Sequence, residues 1–253
     1  EDITKSLLKG GKNEVMVIIP EGWTNKEIIK YLENQKLVKS TVFHNLAFLG
    51  GGEVEKFEFL EDKPKGTGLE GYLFPDTYRF FKDAGEKEIL ARFLHNFDRK
   101  LSSELREEIA KQKKSVFEIV TVASLVENEV VSDEDRALVS GILWKRLNKK
   151  LPLQVDAALA YIKKNNPSYA AKFIPQDGRR FSKEDTKIDS SYNTYKYAGL
   201  PPGPISNPGL SAIKSAIYPK ESPYFYYLST PEGKTIFSKT LEEHNKAKAK
   251  YFK

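Results

Sequence analysis

The chain has 253 residues with 41 Lys+Arg against 35 Asp+Glu, a formal net charge of +6 at pH 7, and 40% hydrophobic with 30% charged residues. That is the balance of a globular protein rather than a disordered one, and the length suits one large domain or two smaller ones. With no cysteine present, disulfides, cysteine-based zinc sites, iron–sulfur clusters and thiol nucleophiles are all excluded.

In chain order, Val15–Ile19 is a short apolar run ended by Pro20-Glu-Gly22, which predicts a strand and a turn. Thr24 or Asn25 can cap a helix whose stripe is Ile28, Ile29 and Leu32, and a second short helix is expected over Ser40–Leu49, stopped by Gly50-Gly-Gly52. Lys56–Leu60 alternates and predicts a second strand. These elements read as a compact α+β module over residues 1–62. The turn-rich Glu61–Gly68 serves as boundary, and a mainly helical domain with a small antiparallel sheet is expected over 63–253.

In that second region Ile89, Leu90, Phe93, Leu94 and Phe97 recur at helical spacing. Ser115-Val-Phe-Glu118 is a capping box, and Ser132 opens a further helix with acidic residues in its first turn and a basic end at Lys145–Lys150. Asn207-Pro208 reads as a cap followed by proline at the first helical position. Tyr224–Ser229 and Thr235–Ser238 predict a β-hairpin, after which Thr240 caps a final basic helix.

The helix opened by Ser115 is apolar on every side through Val126, and Glu127 and Glu129 follow at once. Carboxylates there are either exposed in a last turn or partly desolvated at the negative end of a helix dipole. In the second case their pKa is raised, as a general acid requires. Glu70–Tyr78 mixes acids and aromatics, suited either to sugar stacking or to a core strand and turn. Tyr192–Tyr195 with the proline-rich Gly199–Asn207 forms a stiff loop, either a rigid connection or a presenter of Asn and Tyr side chains. Asp156 reads as a helix cap. His44, His95 and His244 lack metal-site spacing, and no GxSxG, GxGxxG or GxxxxGK[ST] pattern occurs, so neither metal nor cofactor is expected. The polar start (EDITKSLLKGGK) is no secretory signal, no apolar run reaches the roughly 18 residues of a membrane span, and the missing initial Met makes the chain read as a fragment.

Taken together and in order, EGYLFPDTY (Glu70–Tyr78), ASLVENE (Ala123–Glu129), the helix ending at Arg146-Leu147, LPLQVDAALAY (Leu151–Tyr161), SYNTYKYAGLPPGPISNPGLSAIKSAIYP (Ser191–Pro219) and FSKTLEEHNKAK (Phe237–Lys248) resemble the MltG/YceG-like family of endolytic murein transglycosylases. The resemblance implies a LysM-like N-terminal module and a YceG-like catalytic domain. It implies endolytic, non-hydrolytic cleavage of MurNAc–GlcNAc bonds in nascent peptidoglycan, leaving 1,6-anhydroMurNAc ends and terminating glycan elongation. It further implies glycan strands as substrate, peptidoglycan synthases as partners, no nucleic acid, and a membrane anchor preceding Glu1 that places the protein on the outer face of the cytoplasmic membrane. Glu129 then falls on the catalytic acid and Glu127 on its supporting glutamate, with departures at Asn128 and Val130. Gln154, Asp156, Tyr192, Asn193 and Tyr195 are expected in the sugar-binding cleft, together with Glu70, Tyr72, Phe74, Asp76 and Asn207. A non-catalytic glycan-binding scaffold is the alternative. A basic nucleic-acid-binding protein ranks last, because lysines and arginines are interspersed with nearly as many acids.

Overall fold

A computed structural model describes residues 13–49, 57–170 and 181–252, and the chain divides into two compact units, Glu1–Glu107 with Ser206–Gly209, and Glu108–Ile205 with Leu210–Lys253. The architecture is mixed helix and sheet, with a two-stranded antiparallel sheet in each unit.

In the first unit, β1 (Glu14–Ile18) pairs antiparallel with β2 (Thr77–Phe81), in register from Glu14↔Phe81 to Ile18↔Thr77. Alternation explains both strands: Val17, Tyr78 and Phe80 are buried while their neighbours face outward. Between them, α1 (Asn25–Asn34) opens on a reciprocal capping box of Thr24 and Glu27, and α2 (Ser40–Leu49) packs against α1 and against α3 (Glu86–Lys100). The strand expected at Lys56–Leu60 is not formed where it can be seen: Lys56, like Gly50–Gly52, lies outside the described residues, and Glu58–Leu60 make a 3₁₀ turn. Phe59 and Leu60 are both buried there, consecutive rather than alternate, which a strand with one wet face does not allow. The partner of β1 comes instead from 77–81, so the first unit continues past residue 62 to Glu107.

Aromatic rings fill this unit's core. Tyr72 is 0% and Phe74 3% exposed, with Tyr72 5.9 Å from Phe59 and 5.2 Å from Phe97. Asn207 is also fully buried. Its Oδ1 accepts the Leu73 N–H at 2.8 Å, while its Nδ2 donates to Trp23 O and Asn25 Oδ1, both at 2.9 Å. It clips the 206–209 segment into the first unit rather than capping the helix that follows. Asn207→Ala strands several buried polar groups at roughly 1–3 kcal/mol each. A drop of about 2–3 kcal/mol in urea-unfolding stability is expected, and an unchanged midpoint contradicts this role.

The division between units falls inside α4 (Ser103–Lys111), a helix whose short apolar stripe escaped the sequence reading. The second unit then runs through α5 (Val116–Glu127), α6 (Asp133–Asn148), α7 (Asp156–Asn165) and a helical turn at Pro167–Ala170 to α8 (Leu210–Ile217). The hairpin of β3 (Tyr226–Ser229) and β4 (Thr235–Ser238) and α9 (Leu241–Tyr251) complete it. The apolar α5 is buried from Ile119 to Val126, as its composition requires, with α6 and α8 packed on it. The caps at Ser115, Ser132 and Thr240 form as expected, and α9 lies on the hairpin.

Candidate active site

α5 positions the site by where it stops. Asn128 caps it and returns its Nδ2 to Ser124 O at 3.0 Å. Glu129 therefore lies in the turn beyond the helix rather than on its last face, held by its own N–H to Val126 O at 3.1 Å. Ser229 of β3 donates its hydroxyl to the Glu129 carbonyl at 3.1 Å. The half-buried Glu129 carboxylate accepts the Ala157 N–H at 2.9 Å, in the first turn of α7. The dipole nearest this carboxylate is thus the positive end of α7 as well as the negative end of α5. The α7 amide supports the ionised form, a contact the sequence reading did not foresee.

Glu129 opens on a cavity of about 440 Å³ wholly within the second unit, a size suited to a small ligand or a segment of a polymer. Asp156 lines it too, as the first residue of α7 rather than its cap, which is Val155. Tyr195 donates its hydroxyl to Asp156 Oδ1 at 2.5 Å. Burial first, then the charges of Asp156 and Glu129, hold the Tyr195 phenol well above its ordinary pKa. Tyr227 is raised for the same causes, burial before the charges of Glu129 and Asp156. Two carboxylates thus share a wall with two phenols that keep their protons.

Gln154 completes this side with φ 56°, in the left-handed region, a strained conformation for a non-glycine residue that clusters at functional sites. Its N–H is fixed to Thr194 O at 3.0 Å, and its Oε1 accepts from Arg146 Nη2 at 2.7 Å. Val155 N–H is likewise fixed to Thr194 Oγ1 at 2.9 Å, so the 192–197 loop and the start of α7 are braced together.

Of the expected site residues, the cavity gathers Glu129, Gln154, Asp156 and Tyr195. The others have structural duties. Glu127 Oε1 accepts from Arg136 Nη2 at 2.7 Å, with side chains 5% and 10% exposed, and Glu127 does not line the cavity. Asn193 is fully buried, its Nδ2 on Thr186 O and Ile188 O and its Oδ1 on Tyr195 N, so it shapes the loop. Tyr192 packs its ring 4.9 Å from Tyr161 and is not in the lining. Glu70, Tyr72, Phe74, Asp76 and Asn207 belong to the first unit. There Glu70 Oε1 accepts from Asn25 N at 2.9 Å, and Asp76 takes Asn96 Nδ2 and the Lys100 ammonium, both at 3.1 Å. Among the described residues no group of three His, Cys, Asp or Glu is placed to hold a metal ion.

The sequence reading missed Arg146 as a site residue, along with Tyr226, Tyr227 and α9. A signal for α9 existed: Leu241, His244, Asn245, Lys248 and Phe252 recur at i, i+3, i+4, i+7 and i+11, and all line the cavity. His244 stacks on Tyr226 with ring centroids 5.3 Å apart. Burial, then Lys248 and Arg146, lower its pKa to about 4. Unfolded imidazole takes its proton near pH 6.5, so between about pH 6.5 and 4 the unfolded chain binds more protons. His244 therefore subtracts stability as pH falls through that window and adds no slope above it. The urea midpoint should fall less from pH 7 to pH 5 in His244→Gln than in the unaltered chain; equal falls contradict the neutral imidazole.

The sequence model of the YceG-like family matches residues 1–250. The endolytic murein transglycosylase of Bacillus subtilis (strain 168) is 38% identical over 183 residues, 72% of this chain and 48% of that protein. The endolytic murein transglycosylase of Streptococcus pneumoniae (strain D39) is 33% identical over 275 residues, 99% of this chain and 48% of that protein. The chain thus spans about half the length of the curated relatives it matches. A crystal structure of a yceG-like protein from Listeria monocytogenes superposes with a TM-score of 0.78 at 32% identity, over 97% of this chain and 80% of that one.

Proposed function

The chain belongs to the YceG-like family, and from that premise we propose that it is an endolytic murein transglycosylase acting in the cell envelope, cleaving MurNAc–GlcNAc bonds within peptidoglycan strands. The observation that carries the reading is Glu129 in the wall of a polar, aromatic-lined cavity, fixed by the first turn of α7 and grouped with Asp156, Tyr195 and Tyr227. Protonated Glu129 donates to the glycosidic oxygen as the C1–O bond breaks and positive charge develops on the muramyl ring. As the carboxylate it then takes the proton of the muramyl C6 hydroxyl, whose oxygen bonds to C1. The products are a free hydroxyl on one fragment and a 1,6-anhydro end on the other, with no water consumed. Tyr195, anchored to Asp156, and Gln154, anchored to Arg146, are placed to position the sugar.

One observation favours a second reading, hydrolysis: Asp156 is a second carboxylate in the same cavity, and paired acids suit a water-consuming route. Mass spectrometry of the fragments released from purified strands separates the two. Anhydro ends, lighter than hydrated ends by one water, are expected; hydrated ends throughout overturn the transglycosylase reading. No feature of the site favours a scaffold that binds glycan without cleaving it. The strand–helix–helix–strand order of β1, α1, α2 and β2 supports a LysM-like reading of the first unit, with β2 as its closing strand. Among the described residues no helix is long and apolar enough to cross a membrane, and the anchor and the partnership with synthases belong to this proposal as family expectations.

A further inference from the structure

Arg146 is the least compensated charge in the cavity. It is 7% exposed and lines the cavity. Its Nη2 is spent on Gln154 Oε1 at 2.7 Å and its Nη1 on Phe225 O at 3.2 Å, both neutral acceptors. Its Nε is buried with no partner among the described residues, and no carboxylate stands within ion-pair distance of it there. Burial lowers its pKa, as for any desolvated cation that lacks a counter-charge. The guanidinium lies 5.2 Å from the Tyr226 ring, on which His244 also stacks. His244 Nδ1 is likewise buried without a partner among the described residues. One α9 turn on, Lys248 lines the same cavity from an exposed position. Two unsatisfied buried nitrogens and a rim ammonium thus line one cavity, and none of them is ion-paired to an acid of the described residues, Glu129 and Asp156 of the same lining included.

Murein supplies such an acid in one place. Its N-acetylated sugars are neutral, and its anionic groups are carboxylates on the lactyl ether arm of muramic acid, free or extended by peptide. We propose that Arg146, His244 and Lys248 form a carboxylate subsite for that arm, which fixes which of the alternating sugars sits with its C1 at Glu129. The subsite rests on the function proposed above and adds the register of the strand. Arg146 Nε–H and the Lys248 ammonium donate to the carboxylate, and His244 gains a proton or donates Nδ1–H when the anion is present.

The test uses the Glu129→Gln chain, so that ligand is bound without turnover. Calorimetry compares murein tetrasaccharides carrying free lactyl carboxylates, peptide carboxylates, or the same groups fully amidated. An acid ligand is expected to bind roughly 10–100-fold more tightly than its amidated form. Arg146→Gln and Lys248→Gln, each added to that chain, should shrink this ratio toward one, and the imidazole pKa of His244 read by NMR should rise only in the acid complex. Whichever acid ligand gains more identifies the source of the carboxylate. Lys248 is exposed, so its replacement tests the subsite even where loss of Arg146 weakens the fold. Equal affinities for acid and amidated ligands, with His244 unmoved, overturn the subsite and leave the proposed function standing. Failure of every tetrasaccharide to bind, joined to failure of the unaltered chain to cleave strands, strikes at the function itself.

Discussion

Glu129→Gln is expected to lower strand cleavage by roughly 10³-fold or more while leaving the fold and its unfolding midpoint close to those of the unaltered chain. The amide of Gln can neither protonate the leaving oxygen nor accept the C6 hydroxyl proton, and one positioned acid–base group is worth roughly 10²–10⁴-fold. In the proposed mechanism both steps use the same carboxyl, so the loss belongs at the upper part of that range. The carbonyl oxygen of the new amide can still accept the Ala157 N–H that Glu129 Oε1 accepts at 2.9 Å, so the brace to α7 survives the substitution. Fragment release measured by chromatography checks the activity and circular dichroism the fold. A folded variant that releases fragments at the unaltered rate removes Glu129 from the chemistry.

Glu127 answers to a different measurement, stability. Its carboxylate meets Arg136 Nη2 at 2.7 Å, with both side chains at most 10% exposed. Removing one partner of such a pair leaves a buried charge uncompensated, at about 3–5 kcal/mol. Arg136→Met should therefore lower Tm by roughly 6–20 °C, at 2–4 °C per kcal/mol for a chain of this size. Adding Glu127→Leu should restore a large part of the loss, because replacing both charges removes the desolvation cost along with the attraction. Losses that simply add show that the two side chains are not coupled. Glu127→Gln should likewise be limited by stability, and at temperatures where it is folded it should cleave far better than Glu129→Gln.

The sequence foretold local order well because local order has local causes. Ser115 with Glu118, and Ser132 and Thr240, each cap the helix their spacing announces. The apolar wrap of α5 announces its burial. Pairings across long stretches were not legible: β1 meets β2 some sixty residues on, and nothing in Lys56–Leu60 excluded it as the nearer partner. The same limit governs the site. Glu129 is named by what precedes it, yet the amide it meets belongs to Ala157, and Tyr227 reaches it from a hairpin a hundred residues later.

Specific-looking residues also divide by burial rather than by type. In the Tyr192–Tyr195 motif, Tyr195 reaches the cavity, Tyr192 packs on Tyr161 and Asn193 is consumed by backbone groups. Tyr72, Phe74 and Asn207 read as sugar contacts because aromatics and amides suit sugars. They suit an aromatic core and a chain clip equally, and in the structure Tyr72 packs on Phe97 and Asn207 accepts the Leu73 N–H. Arg146 passed as part of a helix end, since only the tertiary structure shows it buried without a counter-ion among the described residues.

The proposed mechanism requires a glycan lying in the second unit's cavity with the bond to be broken at residue 129. A crystal structure of the Glu129→Gln chain with a murein tetrasaccharide bound tests this most directly. A glycosidic oxygen is expected within hydrogen-bond reach of the side-chain amide at position 129, with the sugar seated between Tyr195 and the α9 wall. A tetrasaccharide ordered elsewhere on the chain, with that amide remote from every linkage oxygen, contradicts it.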